Sequence, residues 1–172
     1  DESIDPKTQP IFNYTITADV IDINGETHSA SKTFSLGYHS LVLSNTLKDL
    51  INNTKKNTFE ITANDLNGEP LKAKGIFSIY KLEAPKTSLR KRLWSAPDQQ
   101  RWSAQEFSEL FPGDVYKNEM DYSEWTHGLK VFMGSFDTED EAKIELKDLD
   151  KWKTGRYKYT SKTKDKNGLE IK

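Results

Sequence analysis

Asp22-Ile23-Asn24-Gly25, Asp65-Leu66-Asn67-Gly68 and Asp165-Lys166-Asn167-Gly168 write one turn three times. Each copy follows a run that alternates apolar and polar residues. Asn-Gly between such runs predicts a tight β-hairpin with positive φ at both central residues. Around the first and third copies the match widens, because Tyr14, Thr17, Asp22, Asn24 and Gly25 recur at one constant spacing as Tyr157, Thr160, Asp165, Asn167 and Gly168. So long a spacing does not suit a solenoid unit. It predicts two tandem β domains, the first represented by its end.

Outward from the first turn, Tyr14, Ile16, Ala18 and Val20 share one strand face while Thr15, Thr17 and Asp19 share the other,. Thr27 to Leu36 returns as a second strand, and Leu41-Val42-Leu43 begins a third. Three short strands bury little apolar surface, so residues 11 to 43 are expected to lean on another body. Residues 1 to 10 are polar, hold Pro6 and Pro10, and read as a linker,. From Asn45 to Asn57 the chain is polar again, with Leu47, Leu50 and Ile51 at helical spacing, and predicts a linker with about one helical turn,. The second body starts with Phe59, Ile61 and Ala63, and after its turn continues with Leu71, Ala73, Gly75, Phe77 and Ile79 on one face.

A different texture runs from about residue 83 to 126, where Pro85, Pro97 and Pro112 interrupt any strand pattern. Ser103-Ala104-Gln105-Glu106 is a capping box that predicts a short helix through Phe107, Leu110 and Phe111, ended by Pro112-Gly113,. Strand pattern returns at Leu129, Val131 and Met133, with Phe132 and Phe136 facing the other way. It resumes at Ala142, Ile144 and Leu146, and finally from Gly155-Arg156-Tyr157. The fold class that follows is all-β, an immunoglobulin or fibronectin-III-like sandwich with a Trp-containing insertion that bears a short helix.

Composition limits the function. The chain has 172 residues, a net charge of −2 and a pI near 6.0, which lacks the basic footprint of a nucleic-acid binder,. Cysteine is absent, which removes disulfides, thiolate metal sites and cysteine nucleophiles,. No stretch approaches the ~18 apolar residues of a membrane span, and Asp1-Glu2-Ser3-Ile4 does not open a signal peptide,. Both ends read as cut from something longer.

Little chemistry is written in motifs. His28, His39 and His127 are scattered without metal-ligand spacing,. The Asp-x-Asn-Gly turns, two of them followed by Glu26 or Glu69, carry oxygen ligands but not the spacing of an EF-hand, and turn capping accounts for them,. Phosphate loops, nucleophile elbows and zinc-protease helices do not occur,. Asp148 with Asp150, and Glu139 to Glu141, read as solvated acidic turns. No catalytic, cofactor-binding or metal residue is therefore expected, and no cofactor. Asn13-Tyr14-Thr15 and Asn52-Asn53-Thr54 match glycosylation acceptors, which occur often by chance,.

One constellation suggests contact with a partner. Trp94, Trp102 and Trp125 lie in the 83–126 segment, with Arg92 and Arg101 beside the first two. Two readings stand: exposed rings and cations forming an interaction surface for a sugar or peptide, or rings anchoring the segment while the cations face water.

The stretch Phe12-Asn13-Tyr14-Thr15-Ile16-Thr17-Ala18-Asp19-Val20 with Asp22-x-Asn24-Gly25-Glu26-Thr27 and the exit Leu36-Gly37-Tyr38 resembles the closing hairpin of a macroglobulin domain in bacterial proteins of the alpha-2-macroglobulin family. Thr58 to Leu82 is similar to the opening hairpin of the next such domain, and Gly155-Arg156-Tyr157 through Gly168 to its closing one. The resemblance implies a partial domain at 1–43, a linker at 44–57 and a nearly whole sandwich at 58–172. It further implies a parent protein outside the cytoplasm, periplasmic or at the cell surface and lipoprotein-anchored, that traps proteases after cleavage of a bait segment. Its partners would be neighbouring macroglobulin domains and, through the parent, proteases, with no nucleic acid and no membrane contact by this segment. Without cysteine the chain cannot hold the family's thioester, so a scaffold role is what remains. Two other classes stand beside it: a secreted immunoglobulin-like adhesin or carbohydrate- or peptide-binding module using the Trp-rich segment, and a fragment of an enzyme such as a glycosidase, which would need two carboxylates in one cleft.

Overall fold

A computed structural model of the protein describes residues 10–92, 95, 97–140 and 143–171. The polar start at 1–9, Trp94 and Ala142 lie outside the described residues. In chain order the elements are β1 (Ile11–Ile21), β2 (Thr27–Gly37), β3 (Val42–Asn45), β4 (Thr58–Phe59), β5 (Ile61–Asn64), β6 (Lys74–Leu82), α1 (Ala104–Leu110), β7 (His127–Asp137), β8 (Ile144–Glu145), a 3-10 turn (Leu149–Lys151), β9 (Tyr157–Lys164) and β10 (Glu170–Ile171). Among the described residues the protein is all-β with a single short α-helix. One sheet has the order β10-β9-β6-β7, and three two-stranded ladders are β1-β2, β3-β5 and β4-β8.

The chain divides into two compact units, one of Asp1–Phe77, Gly134–Leu149 and Thr160–Lys172, the other of Ser78–Met133 and Asp150–Tyr159. In the first unit the alternating Phe59, Ile61 and Ala63 are all buried, together with Leu41, Ala73, Phe77, Phe136, Leu146, Leu149 and Ile171. Each large side chain among them stabilises the fold by about 1.5–3 kcal/mol relative to exposure. Phe59 meets Phe77 edge to face, with ring centroids 5.5 Å apart at 90°. Gly75 is required by a close approach: a Cβ there would overlap the Lys162 carbonyl oxygen and lie 2.7 Å from the Phe136 ring.

The three Asp-x-Asn-Gly turns share one geometry, and it differs from the expected two-residue hairpin turn. Positive φ is confined to the glycines, at 85°, 92° and 82° for Gly25, Gly68 and Gly168, while Asn24, Asn67 and Asn167 keep ordinary negative values. In each copy the glycine N–H donates to the aspartate carbonyl, and the aspartate N–H to the carbonyl four residues on. These are three-residue loops closed by a left-handed glycine, which is the other common hairpin solution. The reason is local. Each aspartate Oδ1 accepts from the N–H two and four residues ahead (2.8–2.9 Å), which tightens the chain without a left-handed asparagine,.

The expected helical turn near Leu47 to Ile51 does not form, and Leu50 is 88% exposed. Asn52 instead accepts from both the N–H and the hydroxyl of Thr54, and the Asn57 amide donates to the carbonyls of Asn52 and Lys55. Such side-chain bonds offer the backbone an alternative to helix. The flanking strands are nevertheless joined, since β3 pairs antiparallel with β5 with Leu43 opposite Ala63.

In the second unit the capping box forms as predicted: Ser103 Oγ accepts from the Glu106 N–H, and the Glu106 carboxylate accepts from the Ser103 N–H. The helix has no buried residue and ends at Phe111, with Gly113 at φ 87° beyond it. Phe107 packs on Phe111 and Tyr116 at 5.1 and 5.3 Å, and Trp102 meets Phe111 at 5.5 Å. Ile79, Leu82 and Val115 are buried in this unit.

Candidate functional site

The residues singled out as an interaction surface fall into separate clusters. Arg92 is half-buried, and its guanidinium donates to the carbonyls of Val115 and Tyr116, so it closes a loop rather than facing a partner. Tyr116 in turn donates its hydroxyl to the Trp102 carbonyl at 2.8 Å, and Gln100 donates to the Tyr116 carbonyl at 3.0 Å. Trp102 is 40% exposed beside Phe111. Arg101 is exposed, and Trp94 lies outside the described residues. Trp125 belongs elsewhere: its Nε1 donates to the Glu119 carbonyl at 2.8 Å, and it lines a cleft with Leu129 and Arg156.

The connector between β2 and β3 is gripped by the second and third turns. Asn67 accepts from the Ser35 N–H at 2.8 Å and donates to the Ser35 carbonyl at 3.3 Å. The Asp165 carboxylate accepts from the Ser40 N–H and hydroxyl at 3.3 and 3.2 Å. Burial alone would raise the pKa of Asp165, but the donated bonds from Leu169, Asn167 and Ser40 outweigh it and hold the carboxyl below the usual range,. Turn motifs visible in the sequence therefore do a second job that sequence spacing did not reveal.

Beyond that connector β1 and β2 form a hairpin of two full strands, in register from Ile11 opposite Gly37 to Ile21 opposite Thr27. Its faces differ in chemistry. One is a polar ladder in which Thr15 meets Thr33 at 2.9 Å, Ser35 donates to Asn13 at 2.7 Å and Ser29 donates to Asp19. The other sets Phe12, Tyr14, Ile16, Ala18 and Val20 against Leu36, Phe34, Lys32, Ala30 and His28. Tyr14 stacks on Phe34 at 5.6 Å, yet Ile16 and Val20 are each 62% exposed and Tyr14 is 49% exposed. Among the described residues this face is mostly exposed, with Phe12 and Phe34 half-buried.

At the hairpin tip Asp22, Glu26 and His28 each bring one ligand atom within 4.8 Å of the others. Asp22 Oδ1 already accepts two backbone N–H groups, and the Glu26 and His28 side chains lie open to water, so the set could hold a divalent cation only loosely,. The acidic turn after β7 is matched by lysines. Lys74 pairs with Asp137 at 2.6 Å and Lys72 pairs with Glu139. The bond from Lys74 holds the Asp137 carboxyl low, and the bond to Asp137 holds the Lys74 ammonium high. That arrangement is the reverse of a carboxyl kept protonated for acid catalysis.

No protein-family model, no curated protein and no solved structure matches the chain.

Proposed function

We propose that the chain is a non-catalytic structural and interaction module of a large extracytoplasmic bacterial protein of the alpha-2-macroglobulin type, whose activity is protease trapping, that is, endopeptidase inhibition. In this reading residues 1–43 close one immunoglobulin-like sandwich, 44–57 link, and 58–172 form the next sandwich with an insertion at 83–126.

One observation carries the reading. Five residues of one hairpin, Tyr14, Thr17, Asp22, Asn24 and Gly25, recur as Tyr157, Thr160, Asp165, Asn167 and Gly168, and the two copies are treated differently. In the third turn Asp165 is 7% exposed and bonded by Ser40, and Thr163 beside it is buried with its hydroxyl donated to the Lys74 carbonyl. The first turn and its apolar strand face stand in water. An apolar face exposed as Tyr14, Ile16 and Val20 are is costly unless a neighbour covers it,. A neighbouring β domain of the parent, placed on the first hairpin as the body of this chain is placed on the second, supplies that cover.

Hydrogen exchange tests it. Amides of β1 and β2 are expected to exchange quickly in residues 1–172 alone and to be protected in the natural full-length polypeptide, which should also retain an added protease. Equal exchange in both, or a full-length polypeptide that captures no protease, overturns the reading.

A further inference from the structure

The second unit holds a cleft of about 490 Å³ at which three segments meet: Lys81–Ala84, Trp125–Leu129 and Thr154–Arg156. It has an apolar wall and a cationic rim. Trp125 is half-buried and fixed by the bond from its Nε1 to Glu119, and Leu129 beside it is 76% exposed. Gly128 keeps the floor low, since a Cβ there would lie 3.0 Å from Glu83 Cγ and 3.1 Å from the Lys81 carbonyl.

The rim carries Lys81 and Arg156. The Arg156 guanidinium lies over the Tyr122 ring at 4.1 Å, which orients it,. Neither cation has a carboxylate partner among the described residues, although acids are close in sequence. Asp121 is engaged by Ser123, Glu119 by the Lys117 N–H and Glu124 by Asn118. Glu83 is the one acid in the lining, so the rim is left net positive.

We propose that this cleft binds an acidic saccharide: a hexuronate ring lies with its C–H face against Trp125 and Leu129, and its carboxylate sits between Lys81 and Arg156. An indole and a leucine recognise the apolar face of a ring, and two cations at its edge recognise a carboxylate by charge-assisted bonds. Thr154 and Glu83 supply the donor and acceptors that ring hydroxyls need, which an aromatic acid would leave unused,. The site is separate from the hairpin and does not depend on the module reading.

The test uses the whole chain labelled with ¹⁵N, with a hyaluronan tetrasaccharide as probe and maltotetraose as the uncharged control. The Trp125 indole N–H is expected to shift saturably with the hyaluronan probe and not with maltotetraose. Arg156→Gln and Lys81→Gln are each expected to weaken that binding about tenfold, the loss of roughly one charge-assisted bond. Lys81→Gln leaves the stack on Tyr122 intact, and an unchanged thermal midpoint separates a lost contact from a folding defect. An unmoved Trp125 resonance at millimolar probe, an equal response to maltotetraose, or unchanged affinity in both variants overturns the proposal.

Discussion

Asp165 and Ser40 are 125 residues apart in sequence, yet the Asp165 carboxylate accepts both the N–H and the hydroxyl of Ser40. The same carboxylate caps its own turn through Asn167 and Leu169. A single side chain thus joins the third turn to the exit of the first hairpin.

Acid should loosen this joint. The folded pKa of Asp165 lies below its ordinary value, so the stability it contributes is present at neutral pH and is lost as pH falls from about 4 through the folded value,. Asp165→Asn puts an amide donor where Ser40 also donates. It is expected to unfold at a lower temperature than wild type at pH 7, with the gap narrowing below pH 4. Thermal unfolding followed by circular dichroism between pH 7 and pH 3 measures it, and a gap independent of pH would contradict the assignment.

Gly75→Ala tests the close approach of β6 and β9. The added methyl collides with backbone at Lys162 and with the Phe136 ring, and neither can swing away as a flexible side chain would. Overpacking of this kind costs about 1–3 kcal/mol, and more where backbone must move. Denaturant unfolding should show a lower midpoint with little change in slope.

Ser103→Ala removes the cap of α1 and the partner of Glu106, whose carboxyl is held low chiefly by the Ser103 N–H. A loss of about 1 kcal/mol is expected, confined to the helix because it buries no residue,. Exchange of the Glu106 and Phe107 amides should speed up while those of β6 stay slow.

Ile16→Lys places a charge on the bare hairpin face at a residue 62% exposed. Stability of the isolated chain should change by no more than about 0.5 kcal/mol, as for other surface changes. Binding of a hydrophobic dye should fall. On the proposed module reading, the same substitution in the parent protein should abolish protection of β1, whereas Thr17→Lys on the opposite face should not.

Much of the local structure was legible in the residues. The capping box at Ser103 and the third strand at Leu41 to Leu43 appear where local pattern puts them, and Phe59, Ile61 and Ala63 are buried as the alternation predicts, though in two short strands, β4 and β5, rather than one. The turns were placed correctly but their geometry was not, because the aspartate bonds that favour the three-residue loop depend on side-chain reach rather than on the Asn-Gly pair. The helical spacing at Leu47 to Ile51 misled, since Asn52 and Asn57 bind that backbone first. Arg92 looked like a surface cation, and only the arrival of Val115 and Tyr116 from farther along the chain made it a half-buried clasp.

The sequence by itself determined where the chain turns and which residues alternate, because an aspartate reaching two and four residues ahead needs nothing beyond its own segment. Tertiary structure alone decided which alternating faces are covered. Phe12 to Val20 and Phe59 to Ala63 carry the same pattern, but the second is buried and the first is left largely in water. Burial depends on which distant segment packs against a face, and hydrophobic attraction, being non-directional, is not written into the face itself.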